Sequence, residues 1–132
     1  VVYGDEPSQA PSNRIHELGG QSDDINYQFG GSYVWLVPDY TNERENGAIG
    51  FDLVIQGSED PSLKDLAKGA GGDYRYLIVN TDISQERKIT ALALLRSESS
   101  VDMPPLGWDE ATIDINKGRG KMYLYLVWKL ST

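Results

Sequence analysis

The sequence contains no cysteine and a single histidine, His16, among 132 residues. The first absence removes disulfides, thiol nucleophiles and thiolate metal sites together, and it leaves the compartment open, because secreted domains of this size need not be bridged. With no Ser or Cys nucleophile in a recognisable setting beside it, His16 reads as a partly exposed side chain rather than a general base. No run of eighteen apolar residues occurs, so no membrane-spanning helix is expected. Val1-Val2-Tyr3-Gly4-Asp5 lacks the basic start and apolar middle of a signal peptide, so any targeting segment is expected to be absent or already removed. Positive charge is scarce as well: 12 Lys and Arg stand against 20 Asp and Glu, a formal net charge of −8. That balance speaks against a DNA or RNA partner, which normally meets a basic face.

What the sequence has is a repeat. Asp24, Asp65 and Asp114 each open a similar stretch. Six residues on comes a Gly (Gly30, Gly71, Gly120), nine on a Tyr (Tyr33, Tyr74, Tyr123), eleven on an aromatic (Trp35, Tyr76, Tyr125) and twelve on a Leu (Leu36, Leu77, Leu126). Copies spaced by roughly forty to fifty residues use up the chain, so a repeat architecture is considered before any other. A chain of this length fits one domain. The expectation is a single domain over residues 1–132 built of three units, about 1–41, 42–82 and 83–132, sharing one core.

Each copy leads from a Gly-rich turn into a strand of β-branched and aromatic residues: 33–37, stopped by Pro38, then 74–79 and 123–128. Two further strands are expected over 49–55 and 89–95, where apolar residues alternate. The second is rich in Ala and Leu and so compatible with helix, but it holds the same place before its repeat as the first does. Residues 1–3 read as a short edge strand and 4–14 as a polar arm. Short strands between Gly, Pro, Asn and Asp clusters predict an all-β protein. Within the repeat strands, one side carries Tyr33/Tyr74/Tyr123, Trp35/Tyr76/Tyr125 and Val37/Ile78/Val127; the other carries Val34/Arg75/Leu124 and the Leu column. Because Arg75 interrupts the second side, the aromatic side is expected to face the shared core, with Tyr hydroxyls on backbone partners.

The third copy, Asp114-Ile-Asn-Lys-Gly-Arg-Gly-Lys-Met-Tyr-Leu-Tyr-Leu126, preceded by the turn Pro105-Leu-Gly-Trp108, resembles the β-prism domain of multivesicular-body sorting subunits. It is similar also to the C-terminal β-prism of bacterial membrane-attack-complex/perforin-like toxins. The resemblance runs from Gly19 onward; the second copy departs at Ala67, and the first at Tyr27 and Gln28. It implies a β-prism of type I kind, three Greek-key antiparallel sheets with pseudo-threefold symmetry. It also implies attachment to a membrane or cell-surface ligand without catalysis, in a secreted or cell-surface setting. Jacalin-like lectins share the architecture, but their sugar-site motif is not found here, so lectin activity stands as a fold-level analogy and the alternative reading.

Candidate sites lie where the copies differ, since a repeated scaffold leaves divergent turn positions free for binding. In the first turn Tyr27 and Phe29 stand where the others have Lys68/Lys117 and Ala70/Arg119; two aromatics there can stack on a sugar or enter a bilayer interface, or else pack under the N-terminal arm. In the third, Lys117, Arg119 and Lys121 with Met122 form the one tight basic cluster, suited to anionic lipid headgroups. Trp108, on a turn, joins Tyr27 and Phe29 as a glycan-stacking candidate. Gly69-Ala-Gly-Gly72 has the look of a phosphate loop, but a run that recurs three times and leads into strands is better read as turns with positive φ. The repeated Asp is better read as a turn cap than as a calcium ligand. No cofactor, metal or catalytic residue is expected, and the oligomeric state is left open.

Overall fold

A computed structural model describes residues 1–120 and 122–131. It is all-β: seven strands form three small antiparallel sheets, with two single-turn 3-10 segments at Pro7–Gln9 and Arg44–Asn46 and no α-helix among the described residues. The first sheet pairs β1 (Val2–Gly4) with β2 (Tyr33–Trp35), and the second pairs β3 (Ala48–Gln56) with β4 (Tyr74–Thr81). In the third, β7 (Tyr123–Leu130) lies between β5 (Ile89–Ser97) and the two-residue β6 (Glu110–Ala111). The Ala- and Leu-rich segment is therefore a strand: pairing along β7 overrides its helix propensity.

The sheets are built alike. The repeated Tyr33, Tyr74 and Tyr123 face Gly4, Gln56 and Ser97; the residues after them, Val34, Arg75 and Leu124, face Tyr3, Ile55 and Arg96. Both long strands carry a bulge at the same place, at Ala48/Gly50 and at Ile89/Ala91. Each repeated Asp closes its own turn. One Oδ1 atom accepts from the backbone N–H two residues on and ten residues on: Asn26 and Val34 for Asp24, Ala67 and Arg75 for Asp65, Asn116 and Leu124 for Asp114, all at 2.8–3.0 Å. These are the turn caps the repeat predicts, and they drive the residue after each Asp inward: Ile25, Leu66 and Ile115 have no exposed surface.

The side of the strands that faces the shared core is the opposite of the one the sequence favours. Val34, Leu36, Leu124 and Leu126 join Ile25, Leu66, Ile115, Leu53, Leu94 and Trp128 in the shared core. The aromatic columns point the other way, stacked in pairs along each strand at 5.6–6.5 Å: Tyr33 on Trp35, Tyr74 on Tyr76, Tyr123 on Tyr125. Trp35, Tyr76 and Tyr125 are nonetheless buried, the two tyrosines beneath the chain that leaves β3 and β5. Tyr76 Oη accepts from Asp60 N–H and Tyr125 Oη from Val101 N–H, and Tyr125 packs with Ala93, Val127, Leu95, Val101 and Trp108 in a second, smaller cluster. Arg75 misled the reading. It lies in the inward column, 2% exposed, with its guanidinium donating to Ile115 O at 2.7 Å and Lys117 O at 3.0 Å.

One turn position is strained. Four residues after each Asp the backbone is left-handed in every copy, φ 73° at Gln28, 75° at Gly69 and 81° at Gly118. Only the first copy puts a side chain there, and an L-residue in that region gives up about 1–2 kcal/mol, part of which a glycine returns through its looser unfolded chain. Gln28→Gly is accordingly expected to raise the free energy of unfolding by about 0.5–1 kcal/mol, read as a higher urea midpoint with an unchanged slope.

Candidate functional site

The three Gly-rich turns meet at one end of the molecule. Turn one (24–33) is seated on turn two (65–74): Ser32 N–H donates to Lys68 O at 3.0 Å and Asn26 Nδ2 to the same oxygen at 3.1 Å. Turn two reaches turn three (114–123) through Arg75 on Ile115 O and Lys117 O. Turn three returns to turn one through Arg119, whose Nη2 donates to Asn26 Oδ1 at 2.6 Å and whose guanidinium lies 3.6 Å above the Phe29 ring. The residues five after each Asp, Phe29, Ala70 and Arg119, are thus half-buried, and those three after it, Tyr27, Lys68 and Lys117, stand exposed around them.

This arrangement sorts the expected site residues. Lys117 is exposed, but Arg119 is committed to the fold: burial and the nearby Arg75 push its guanidinium down to about 10, opposed by Asp65 and Asp24. Phe29 lies under Arg119 rather than in the open. Tyr27 is 38% exposed, with Arg96 5.1 Å from its ring centre. Arg96 is itself buried, donates to Ser22 O and Asp24 O, and is shifted downward by burial, with Glu17 and Asp24 opposing. Met122 is half-buried, its carbonyl accepting from Asn116 Nδ2 at 2.8 Å. Lys121 lies outside the described residues.

Trp108 is not part of this end. It packs on the outer cluster of the third sheet with Lys129 Nζ 4.8 Å from its ring centre, and Asp109 beside it bonds Trp128, five residues along β7 from Tyr123 and so roughly 17 Å from the turns. The structure adds Lys68 to the turn end, with Lys64 behind it. Lys68 and Lys64 are exposed and lie 4.8 and 5.8 Å from the Tyr3 ring centre, with Lys64 Nζ donating to Val1 O. Lys68 was legible, since it occupies the column of Lys117; Lys64 has no counterpart in the repeat and was not.

Chemically, this end offers an exposed ammonium pair with an aromatic edge over a rigid base. Among the described residues no group of three or more His, Asp or Glu is placed to hold a metal ion, and no helix is long and apolar enough to cross a membrane. The repeated Asp carboxylates are occupied by their turns; Asp24 is raised from the ordinary range by burial, against its two backbone N–H donors. No family model matches the chain, and no curated protein matches it.

Proposed function

We propose that this chain is a non-enzymatic β-prism module whose turn end attaches to an anionic membrane surface. The prism reading, and the pseudo-threefold symmetry with it, is supported by the shared strand register, the three identical Asp caps and the single core between the sheets. The observation that carries the attachment is the placing of Lys68 and Lys117, both exposed, with Tyr27 on the turn end of a chain that is acidic as a whole. Ammonium groups at a bilayer surface meet lipid phosphates, while a half-exposed Tyr suits the headgroup layer.

The arginines give that surface its stiffness rather than its charge. The resemblance to β-prisms of sorting subunits and perforin-like toxins points the same way. Flotation with vesicles of phosphatidylcholine and phosphatidylserine tests the reading. Each surface Lys contributes about 1 kcal/mol, so Lys68→Ser/Lys117→Ser is expected to bind roughly 30-fold more weakly at low salt. Absence of flotation by the parent chain, or undiminished flotation by the double variant, would overturn it. Arg119 is left intact in this test because its removal would disturb the turns themselves.

A further inference from the structure

Each repeat strand spends one edge on its partner strand and turns the N–H and C=O of alternate residues outward along the other. In the first sheet that outer edge is met at Leu36, whose carbonyl accepts from Ile15 N–H at 2.7 Å. In the third it is met throughout: Leu126 exchanges bonds with Thr112, Trp128 O accepts from Asp109 N–H, and Leu130 N–H donates to Asp109 Oδ2. In the second it is met only at Arg75, by Asp65 Oδ1 and Leu66 N–H. Leu77, Val79 and Thr81 of β4 face the same way, and no hydrogen bond among the described residues reaches their N–H or C=O on that side. The stretch that would supply the partner bends away instead. Leu63, which precedes Asp65 as Thr112 precedes Asp114, donates its N–H to Asp60 O at 3.1 Å.

From this open edge we infer that two copies of the chain pair through β4, antiparallel and about a two-fold axis at Val79. The register follows from which groups are free. Because Arg75 is already bonded, only a pairing that sets Val79 against Val79 of the second copy, and Leu77 against its Thr81, uses all three free residues. That register also covers what the edge leaves bare. Val79 is 54% exposed, whereas Trp128, in the same repeat column of the covered third sheet, is 3% exposed, so each copy gives the other the cover that residues 109–112 give β7. Edges that must stay single are guarded by charge, proline or a bulge. Leu77-Ile78-Val79-Asn80-Thr81 has no charge and no proline, and the bulge of this sheet lies in β3.

A foreign peptide would meet the same backbone groups, but nothing charged lines residues 77–81 to select one, whereas a second copy brings an edge that is equally uncharged and apolar at the same point. The net charge of −8 on each copy opposes approach at long range, yet the register sets no acid against acid: Ile78 faces Asn80, and Asp82 faces Tyr76. Salt is therefore expected to tighten the pair, the reverse of its effect on lysines at lipid phosphate. Two edges of this length fall short of the roughly 1,200 Å² of a standard interface, so the pair is a weak one, with Kd on the order of 100 μM. β4 starts beside its own turn, so antiparallel pairing sends the two turn ends to opposite poles. Pairing thus neither needs nor strengthens the grip on one bilayer.

The test is sedimentation equilibrium of the full chain up to about 1 mM, at about 0.05 and about 0.5 M NaCl. An equilibrium between monomer and dimer that tightens with salt is expected, and Lys68→Ser/Lys117→Ser should follow the parent. Val79→Lys sets two ammonium groups face to face at an exposed position whose N–H lies off the β3 ladder, and is expected to weaken the pair about tenfold. Cross-linking reads the register. The sequence has no cysteine, so Val79→Cys gives one thiol per copy, and facing Cα atoms about 5.5 Å apart suit a disulfide. With diamide as oxidant Val79→Cys is expected to cross-link, and Thr81→Cys, which faces Leu77, is not. A chain that stays monomeric at both salts, a dimer that Val79→Lys leaves unchanged, or equal cross-linking of the two cysteine variants would overturn the pairing.

Discussion

Replacing Arg75 by Ala is expected to lower the free energy of unfolding by about 3–5 kcal/mol, the range for breaking a buried charged network. The guanidinium is 2% exposed and holds Ile115 O and Lys117 O, so its loss strands two carbonyls at the joint between turns two and three and leaves a void beside Ile115. Burial pushes its pKa down while Asp65, Asp73 and Asp114 pull it back, so the charge is held by its surroundings rather than by one ion pair. Arg75→Met separates the two losses. Methionine refills the space but donates nothing, and the unsatisfied carbonyls alone cost about 1–3 kcal/mol. Urea unfolding of parent, Met and Ala forms in that order of midpoint is the expected result; equal midpoints for Met and Ala would place the whole effect in hydrogen bonding.

The same residue shows what the sequence could and could not disclose. Repeat spacing, turn caps and the positions of the longer strands were legible because each rests on local chemistry: an Asp whose carboxylate reaches its own backbone, glycines at left-handed positions, alternation along a strand. Which side of the strand faced the core was not, because it depended on non-local partners. An Arg in an apolar column looks excluded from a core until two carbonyls from another turn are brought to it, and those lie 40 and 42 residues away in sequence. The aromatic column misled for the complementary reason. Tyr76 and Tyr125 are buried, but under the connecting chain rather than in the shared core, and burial from a roofing loop leaves the same apolar signature as burial inside.

The candidate site divides along the same line. The exposed column of Tyr27, Lys68 and Lys117 follows from the repeat, whereas the diversion of Arg119 to Asn26 and Phe29 does not: it needs turn one and turn three to touch. Trp108 is on the turn that Pro105 and Gly107 predict, its N–H donating to Pro105 O, but only the assembled sheets show that this turn lies on the outer face of the third sheet. The closure of the second sheet on the third left no trace in the pattern at all, because it rests on Arg44 reaching Glu86 O and Ser131 Oγ and on Lys88 reaching Glu45 O, contacts that only the assembled sheets reveal.

Gly31→Ala is expected to be the other costly change, at about 3–4 kcal/mol when left-handed strain adds to a backbone clash. A Cβ on Gly31 would lie 2.5 Å from Lys68 O and 2.6 Å from Ala70 N, and none of these atoms can rotate away. Relief requires turn one to lift from turn two, which breaks the bonds from Ser32 N–H and Asn26 Nδ2 to Lys68 O. Gly30→Ala is the control. Its φ of 76° is nearly that of Gly31, 74°, but nothing lies within 4 Å of its Cβ, so it should cost only the strain, about 1–2 kcal/mol. The gap between the two thermal shifts then measures the seating of one turn on another. Because Lys68 and Tyr27 sit on those same two turns, Gly31→Ala should also weaken vesicle binding at temperatures where the chain is still folded, and Gly30→Ala should not. Equal binding by both would mean that the turns act singly and that their gathering at one end contributes nothing to attachment.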